Sequence, residues 1–273
     1  MLAAVGAFAV MDTLLKVLAA RYPAAEVTGL RGLASLPFVL GLYAWRGELA
    51  KVRMNSPGLH LLRGLIAIAL MMTFVYAVSK QSLTGVYAIF MIAPVMVVAL
   101  AAILLGEKVD GGSWFAVLLG LAGVWIMLRP TSADFATGAS LAALASAVAY
   151  ALAVLTARHL TRTDTSESMI VSFLVMVSIG GLAFAWRDWV PVQNRDWLLL
   201  IAIGGMGAVA QHCITDAFRY ASAATLAPME YTALLYGLAI DFVVWSTVPS
   251  PVVLLGGLLV VAAGLFVVRR AAR

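Results

Sequence analysis

Of the 273 residues, 63% are hydrophobic and 11% are charged, and the mean hydropathy is +1.02. These values lie far outside the range of soluble domains and exclude that class. The net charge of +5 comes from basic residues scattered singly between apolar segments, which excludes the basic stripe of a nucleic-acid-binding protein.

Ten apolar segments follow one another along the chain. A helix needs about 20 apolar residues to cross a bilayer core of about 30 Å. The predicted spans are 2–20, 24–45, 58–79, 83–105, 112–129, 137–158, 168–187, 196–219, 222–245 and 251–269. The first span begins directly after Met1, so we expect no cleavable signal peptide. The sequence therefore predicts an all-α polytopic membrane protein with ten transmembrane helices.

The last two spans of each half resemble each other. A proline-containing span, a hairpin and a Leu/Gly-rich span occur at 83–124 and again at 222–264, about 140 residues apart. Because each set has an odd number of spans, the second set enters the membrane in the opposite orientation. We predict two domains: 1–130 is the first five-helix repeat, and 131–273 is the second, inverted repeat.

Basic residues favour one side of the membrane. Eleven of the 18 Lys and Arg residues lie on the side of both predicted termini, and five lie on the other side. The first group is Arg46, Lys51, Arg53, Arg63, Lys108, Arg158, Arg162, Arg219, Arg269, Arg270 and Arg273, and the second is Arg21, Lys80, Arg129, Arg187 and Arg195. By the positive-inside rule, both termini are predicted to be cytoplasmic in a bacterial inner membrane.

Charged residues within the spans are candidates for a binding site. A charge at a helix centre costs about 2.5–3.5 kcal/mol unless it has a partner, a water-filled cavity or a function. The residues that meet this criterion are Asp12, Lys16, Arg31, Asp216, Glu230 and Asp241. Asp12 and Lys16 are four residues apart and share a helix face. They either neutralise each other or line a cavity, where Lys16 would meet a substrate carboxylate and Asp12 an amine.

The eighth and ninth spans carry most of the polar residues of the second half. His212 begins a stripe with Thr215, Asp216 and Arg219, and it is either a core histidine or a proton-relay or substrate contact. Asp216 and Arg219 fit an interfacial pair. On the next span, Glu230 and Tyr231 follow Pro228.

Carriers tend to place their sites at broken helices, so Glu230 or Tyr231 is the main candidate of the second half. Asp241 and Trp245 lie near the outer boundary and fit interface residues.

In the first half, Tyr87, Met91 and Pro94 share a face of the fourth span. This face either packs against other helices or holds an apolar part of a substrate. Tyr76 and Tyr150 are weaker candidates of the same kind.

Several short motifs occur one after another along the chain. They are Asp12 to Lys16, Arg21-Tyr22-Pro23, Arg31, Leu62-Arg63-Gly64, Leu105-Gly106-Glu107, Gly120 to Gly123, Arg129-Pro130, Ala227 to Tyr231 and Pro249. In this order and spacing, nearly the whole chain resembles the ten-span EamA-type permeases of the drug/metabolite transporter superfamily. One departure is Thr247, which stands where a glutamate matching Glu107 is often found.

The resemblance implies a basket of two inverted five-helix repeats around a central cavity, with the fifth and tenth helices outside it. Within that superfamily, the chain resembles the amino-acid exporters of the YddG type. The main hypothesis is therefore a secondary transporter that exports amino acids or related small polar metabolites by alternating access. Its expected partners are a small-molecule substrate and the lipid bilayer, and proton coupling stays an open option.

The alternatives are an uptake permease for a nucleoside-type metabolite such as S-adenosylmethionine, and a channel. An enzyme is disfavoured because the sequence has no Gly-x-Ser-x-Gly, His-Glu-x-x-His or Walker-type motif. The single cysteine, Cys213, supports neither a disulfide framework nor a metal site, and we expect no cofactor.

Overall fold

The computed structural model describes residues 1–80, 83–104, 106, 109–128, 138–245 and 251–271. Every regular element in these ranges is helical, which confirms the all-α prediction for the described part of the chain. Its α-helices are α1 Leu2–Ala19, α2 Ala24–Trp45, α3 Pro57–Lys80, α4 Leu83–Phe90, α5 Ala93–Leu104, α6 Gly111–Leu128, α7 Gly138–Leu160, α8 Ser166–Ala185, α9 Trp197–Tyr220, α10 Ala223–Glu230, α11 Thr232–Trp245 and α12 Pro251–Ala271. Single 3-10 turns at Leu49–Lys51 and Asn194–Asp196 precede α3 and α9.

Six helices are long and apolar enough to cross a membrane, namely α1, α2, α3, α7, α8 and α9, the last together with its preceding turn. Shorter apolar stretches lie in α5, α6 and α12. Eight of the predicted segments each coincide with one helix. The fourth and ninth do not: each is divided in two, into α4 and α5 and into α10 and α11. The predicted spans 83–105 and 222–245 are therefore each interrupted, as Pro228 had indicated for the second of them.

Prolines lie close to both breaks. Pro94 has no N–H, so the carbonyl of Phe90, four residues earlier, loses its helical partner, and α4 ends at Phe90. In the second half, α10 ends at Glu230, two residues after Pro228. Phe90 and Glu230 are 140 residues apart. The chain is thus interrupted at matching points of the two halves.

Helix packing relates the halves in the same way. α1 packs against α9 as α7 packs against α3, and α2 packs against α9 as α8 packs against α3. α2 also packs against α8, and α6 against α12. If α1 to α6 are exchanged in order with α7 to α12, the contact α1–α9 becomes α7–α3, and α2–α9 becomes α8–α3. The contacts α2–α8 and α6–α12 stay the same. At the α2–α8 crossing, a Cβ atom on Gly181 would overlap the backbone of Gly29, so this close approach requires glycine.

Two sets of loop contacts join the halves. Between α2 and α3, the Asn55 amide N–H donates to Asp164 Oδ1 at 2.7 Å, and Asn55 Nδ2 donates to the Thr163 carbonyl at 2.8 Å. His60 Nε2 lies 3.0 Å from the same Asp164 oxygen. We call this set the Asp164 contact, and it joins the α2–α3 and α7–α8 connections.

The second set joins the α1–α2 and α8–α9 connections, and we call it the Asp196 contact. Arg21 forms an ion pair with Asp196, and the Tyr22 hydroxyl donates to Asp196 Oδ2 at 2.8 Å. Tyr22 also accepts a hydrogen bond from the Gln193 amide at 3.0 Å. The two sets lie at the two ends of α2, whose 22 residues span about 33 Å. They therefore hold opposite ends of the bundle together.

Candidate functional site

A cavity with a volume of about 140 Å³ lies between the two halves. Both halves contribute to its wall, and no described residue of α6 or α12 lines it, as the resemblance implied. Its lining residues are Val5, Phe8, Ala9, Met11, Asp12, Arg31, Arg63, Leu70, Met71, Phe74, Tyr87, Phe90, Met91, Tyr150, Ala153, Val154, Ala157, Phe173, Gln211, Ile214, Thr215, Phe218, Glu230 and Ala233. The two helix breaks border the cavity through Phe90 and Met91 in the first half and Glu230 in the second.

Two acidic side chains in the cavity each accept a hydrogen bond from a tyrosine. The Tyr87 hydroxyl donates to Asp12 Oδ2 at 2.8 Å, and the Tyr150 hydroxyl donates to Glu230 Oε1 at 3.0 Å. Each pair joins the first helix of a half to the segment that ends at the break. A carboxylate accepts several hydrogen bonds, so each acid keeps further capacity to bind a donor group of a substrate.

Two buried arginines supply positive charge to the same cavity. Arg31 is 2% exposed, with Nε 3.2 Å from Met11 Sδ and Nη1 2.5 Å from Met71 Sδ. Arg63 is 4% exposed; its Nη1 donates to the Met169 carbonyl at 2.7 Å, and its guanidinium carbon lies 5.1 Å from the centre of the Phe173 ring. No described acidic side chain forms an ion pair with either arginine.

The remaining wall is largely aromatic and apolar. The Phe74 and Tyr87 rings are stacked with centroids 6.4 Å apart, and the Phe90 and Tyr150 rings are tilted with centroids 5.2 Å apart. These contacts fix the orientation of both tyrosines that hold the acids. Flat apolar surfaces of this kind suit the hydrophobic part of a ligand.

Five of the predicted site residues line the cavity: Asp12, Tyr87, Met91, Tyr150 and Glu230. Tyr76 does not, because its side chain is 43% exposed on the outer surface of α3. Tyr231 does not line it either: it is fully buried against α6, where a Cβ atom on Gly120 would overlap its ring. Tyr231, which follows the break directly, therefore points away from the face that Glu230 occupies.

Lys16 and His212 lie on the bundle but outside the cavity lining. Of the two alternatives for Asp12 and Lys16, the mutual ion pair is absent from the described contacts, and Asp12 accepts a hydrogen bond from Tyr87. His212 Nε2 lies 3.3 Å from Asp216 Oδ2, and its ring centroid lies 6.3 Å from that of Tyr43.

Asp216 and Arg219 do not form the expected interfacial pair. Asp216 accepts a hydrogen bond from the Ser166 hydroxyl at 2.8 Å, and Arg219 donates to that hydroxyl and, at 2.6 Å, to the Asp164 carbonyl. Ser166 thus links the two residues and attaches the end of α9 to the Asp164 contact.

Four further residues line the cavity: Arg31, which was among the charged candidates without a specific role, and Arg63, Gln211 and Thr215, which were not predicted for the site. Arg63 was counted as a charge flanking a span, but it lies within α3 and is buried. The sequence did contain a signal for its inward position. Arg63 shares one side of its helix with the apolar residues Leu70, Met71 and Phe74, as their spacing shows.

Some of the predicted features cannot be placed. Glu107, Arg129, Pro130, Thr247 and Pro249 lie outside the described residues, as do the side chains of Asp241 and Trp245. Within the described part of the chain, no group of His, Cys, Asp and Glu side chains is arranged to hold a metal ion.

The chain is similar to several known transporters. It is 28% identical to the pseudopaline exporter CntI of Pseudomonas aeruginosa over 257 residues, which cover 94% of this chain and 90% of that protein. It is 30% identical to a riboflavin transporter of Rhizobium johnstonii, covering 90% and 80%, and 22% identical to an S-adenosylmethionine uptake transporter of Rickettsia prowazekii, covering 94% and 87%.

One solved crystal structure superimposes on this chain with a TM-score of 0.80 and 19% identity, covering 100% of this chain and 96% of the other. At this identity the likeness shows a shared fold. The family model for EamA-like transporters matches residues 1–129 and again 137–269. Together with the helical bundle and its cavity, this double match shows that the protein belongs to the EamA-like transporter family of the drug/metabolite transporter superfamily and is a membrane transporter.

Proposed function

We propose that this protein is a secondary transporter that exports amino acids or related small polar metabolites across the inner membrane by alternating access. The observation that carries the proposal is that two hydrogen-bonded acids, Asp12 and Glu230, and two buried arginines, Arg31 and Arg63, line one cavity. A zwitterionic solute needs such a pairing, because its ammonium group binds carboxylates and its carboxylate group binds guanidinium groups.

The loop contacts support ten spans in two inverted repeats. α1 ends at the Asp196 contact, whereas its counterpart α7 ends at the Asp164 contact, so the two helices run in opposite directions. The chain leaves the Asp164 contact with α3 and returns to it with α7. Between these two points the chain therefore crosses the membrane an even number of times. The helices α3, α6 and α7 account for three crossings, so α4 and α5 together form the fourth. By the repeat, α10 and α11 form another.

The proposed domains are 1–130 and 131–273, each one repeat. Both termini face the cytoplasm in this proposal, because the excess of Lys and Arg lies on their side. Arg63 leaves that count since it lies inside the bundle, and the excess persists without it. The Asp164 contact then closes the cytoplasmic end, and the Asp196 contact closes the other end.

A second candidate is uptake of a nucleoside-type metabolite. The aromatic wall around Phe74, Tyr87, Phe90 and Tyr150 favours it, because a flat heterocyclic ring stacks on such side chains. A riboflavin transporter and an S-adenosylmethionine uptake transporter among its relatives are consistent with a heterocyclic substrate.

Counterflow with purified protein in liposomes separates these candidates. Liposomes preloaded with an unlabelled amino acid or nucleoside are mixed with the same labelled compound outside, and accumulation of label is measured. We expect amino acids to support counterflow and to compete with one another. Counterflow by nucleosides alone would favour the second candidate, and unitary current steps in planar bilayers would favour a channel.

A further inference from the structure

The two cavity arginines have few acceptors of their own. A guanidinium group carries five N–H donors and stays charged at every accessible pH. The hydrogen-bond partners of the Arg31 guanidinium among the described side chains are two thioether sulfurs, and sulfur is a weak acceptor. Arg63 has one carbonyl acceptor and one aromatic ring, and its buried Nε has no partner. A buried charge with so little compensation is costly, so each arginine is suited to bind an anion that arrives with the substrate.

The two arginines lie at different depths. Arg31 contacts Met71, which is eight residues beyond Arg63 on α3, and eight residues of helix rise by about 12 Å. The Arg63 guanidinium bonds to Met169, near the start of α8 and close to the Asp164 contact. The two guanidinium groups thus have separate partners at different levels of the bundle, so a ligand with two carboxylates can engage each of them.

Acids that can bind amino groups lie on the same wall. Glu230 and Asp12 each have one oxygen held by a tyrosine. The unpartnered Thr215 hydroxyl and Gln211 add neutral polar groups on α9. The described cavity thus presents two arginines and two acidic side chains, and the complementary ligand carries two carboxylates together with amino groups.

We propose that the substrate is an elongated amino compound with two carboxylates, one bound by Arg31 and the other by Arg63. This inference rests on the proposed carrier function and narrows its substrate class. Arg31 holds the group deep in the cavity next to Asp12, and Arg63 holds the group nearer the Asp164 contact. An amino acid with a single carboxylate occupies one of the two arginines and leaves the other without a carboxylate ligand.

Diaminopimelate and lysine are matched probes, because diaminopimelate is lysine with a second carboxylate at the far end of its chain. Half-saturation concentrations for counterflow of each compound are measured in proteoliposomes. We expect the value for diaminopimelate to be at least tenfold lower than that for lysine. Arg63→Gln should bring the ratio of the two values close to one. Arg53→Gln, on the exposed α2–α3 connection, is the matched control and should keep the wild-type ratio.

Arg63 also supports the fold through the Met169 carbonyl, so the melting temperature of each variant is measured in detergent. Arg63→Lys, which keeps the charge without the guanidinium fork, should retain part of the preference. Equal values for both probes in the wild type, or an unchanged ratio in a folded Arg63→Gln protein, would overturn this inference and leave the carrier function standing. Failure of every amino compound to support counterflow would contradict the carrier function itself, and the inference with it.

Discussion

The Tyr150 hydroxyl donates a hydrogen bond of 3.0 Å to the Glu230 carboxylate and thereby joins α7 to the end of α10. The Tyr87–Asp12 pair repeats this arrangement in the first half, with the two residue types exchanged: the acid is on α1 and the tyrosine on α4. Both tyrosines orient an acid at the wall of the cavity. The two halves thus supply the same pair of chemical groups from opposite directions.

Removing the Tyr150 hydroxyl tests this arrangement. Tyr150→Phe leaves Glu230 without its donor, and loss of a hydrogen bond to a charged group should raise the half-saturation concentration for transport about tenfold. Tyr76→Phe is the matched control, because Tyr76 lies outside the cavity and is 43% exposed. Identical kinetics for the two variants would show that Tyr150 does not orient a binding group.

Glu230 itself should matter more than Asp241. Glu230→Gln removes a charge from the cavity wall and should lower the transport rate by roughly tenfold or more. Asp241→Asn should have little effect, since the sequence places Asp241 near the outer boundary of its span. Initial transport rates of both variants are measured in proteoliposomes, with and without an imposed proton gradient. Wild-type rates in both variants would remove Glu230 from the site.

Asp164 should stabilise the protein in a pH-dependent way. Burial raises the pKa of its carboxyl, but hydrogen bonds from Thr163, His60 and the Asn55 amide outweigh burial and lower the pKa to about 2. Because the folded pKa is below that of an unfolded aspartate, about 3.9, the ionised group stabilises the fold above that pH. This stabilisation is lost as the pH falls towards 2.

Melting temperatures of the wild type and Asp164→Asn measure this effect. At neutral pH the variant should melt several degrees lower, and the difference should shrink below about pH 4. Asp188→Asn, on an exposed connection, is the control. A constant difference between wild type and Asp164→Asn across this range would contradict the proposed role.

A disulfide across the Asp164 contact should stop transport. The hydroxyls of Ser56 and Thr163 are 3.1 Å apart, so cysteines at these positions come within reach of each other. In a Cys213→Ser background, oxidation of Ser56→Cys with Thr163→Cys should abolish counterflow because alternating access requires this end to open. A reductant should restore it, and each single-cysteine variant should be insensitive to oxidation. Full transport by the oxidised protein would show that this end stays closed during the cycle.

Hydropathy and spacing predicted the helices well, because a bilayer-length apolar run has few alternatives to a helix. Pro228 indicated the interruption at Tyr231, but the interruption at Met91 was not predicted, since a proline tolerated in a span and one that ends a helix look alike in sequence. Sequence spacing also paired Asp12 with Lys16, its neighbour on the same helix. The observed partner, Tyr87, comes from another helix 75 residues away.

Arg63 is another residue whose position was not predicted from the sequence. Arg63 near the start of a span reads as an interfacial charge, and only the packing of α3 against α7 and α8 turns it inward. Tyr231 shows the converse: it follows a break, yet the backbone directs its ring towards α6. Which side of a helix faces a cavity depends on contacts distant in sequence, and periodicity within one span does not define them.

A carrier mechanism is tested most directly by counterflow in liposomes preloaded with an unlabelled amino acid. We expect external label to accumulate transiently above its equilibrium level at a rate that saturates with concentration, and Asp12→Asn combined with Glu230→Gln to abolish the accumulation. Flux that rises in proportion to concentration without any accumulation would contradict a carrier built around this cavity.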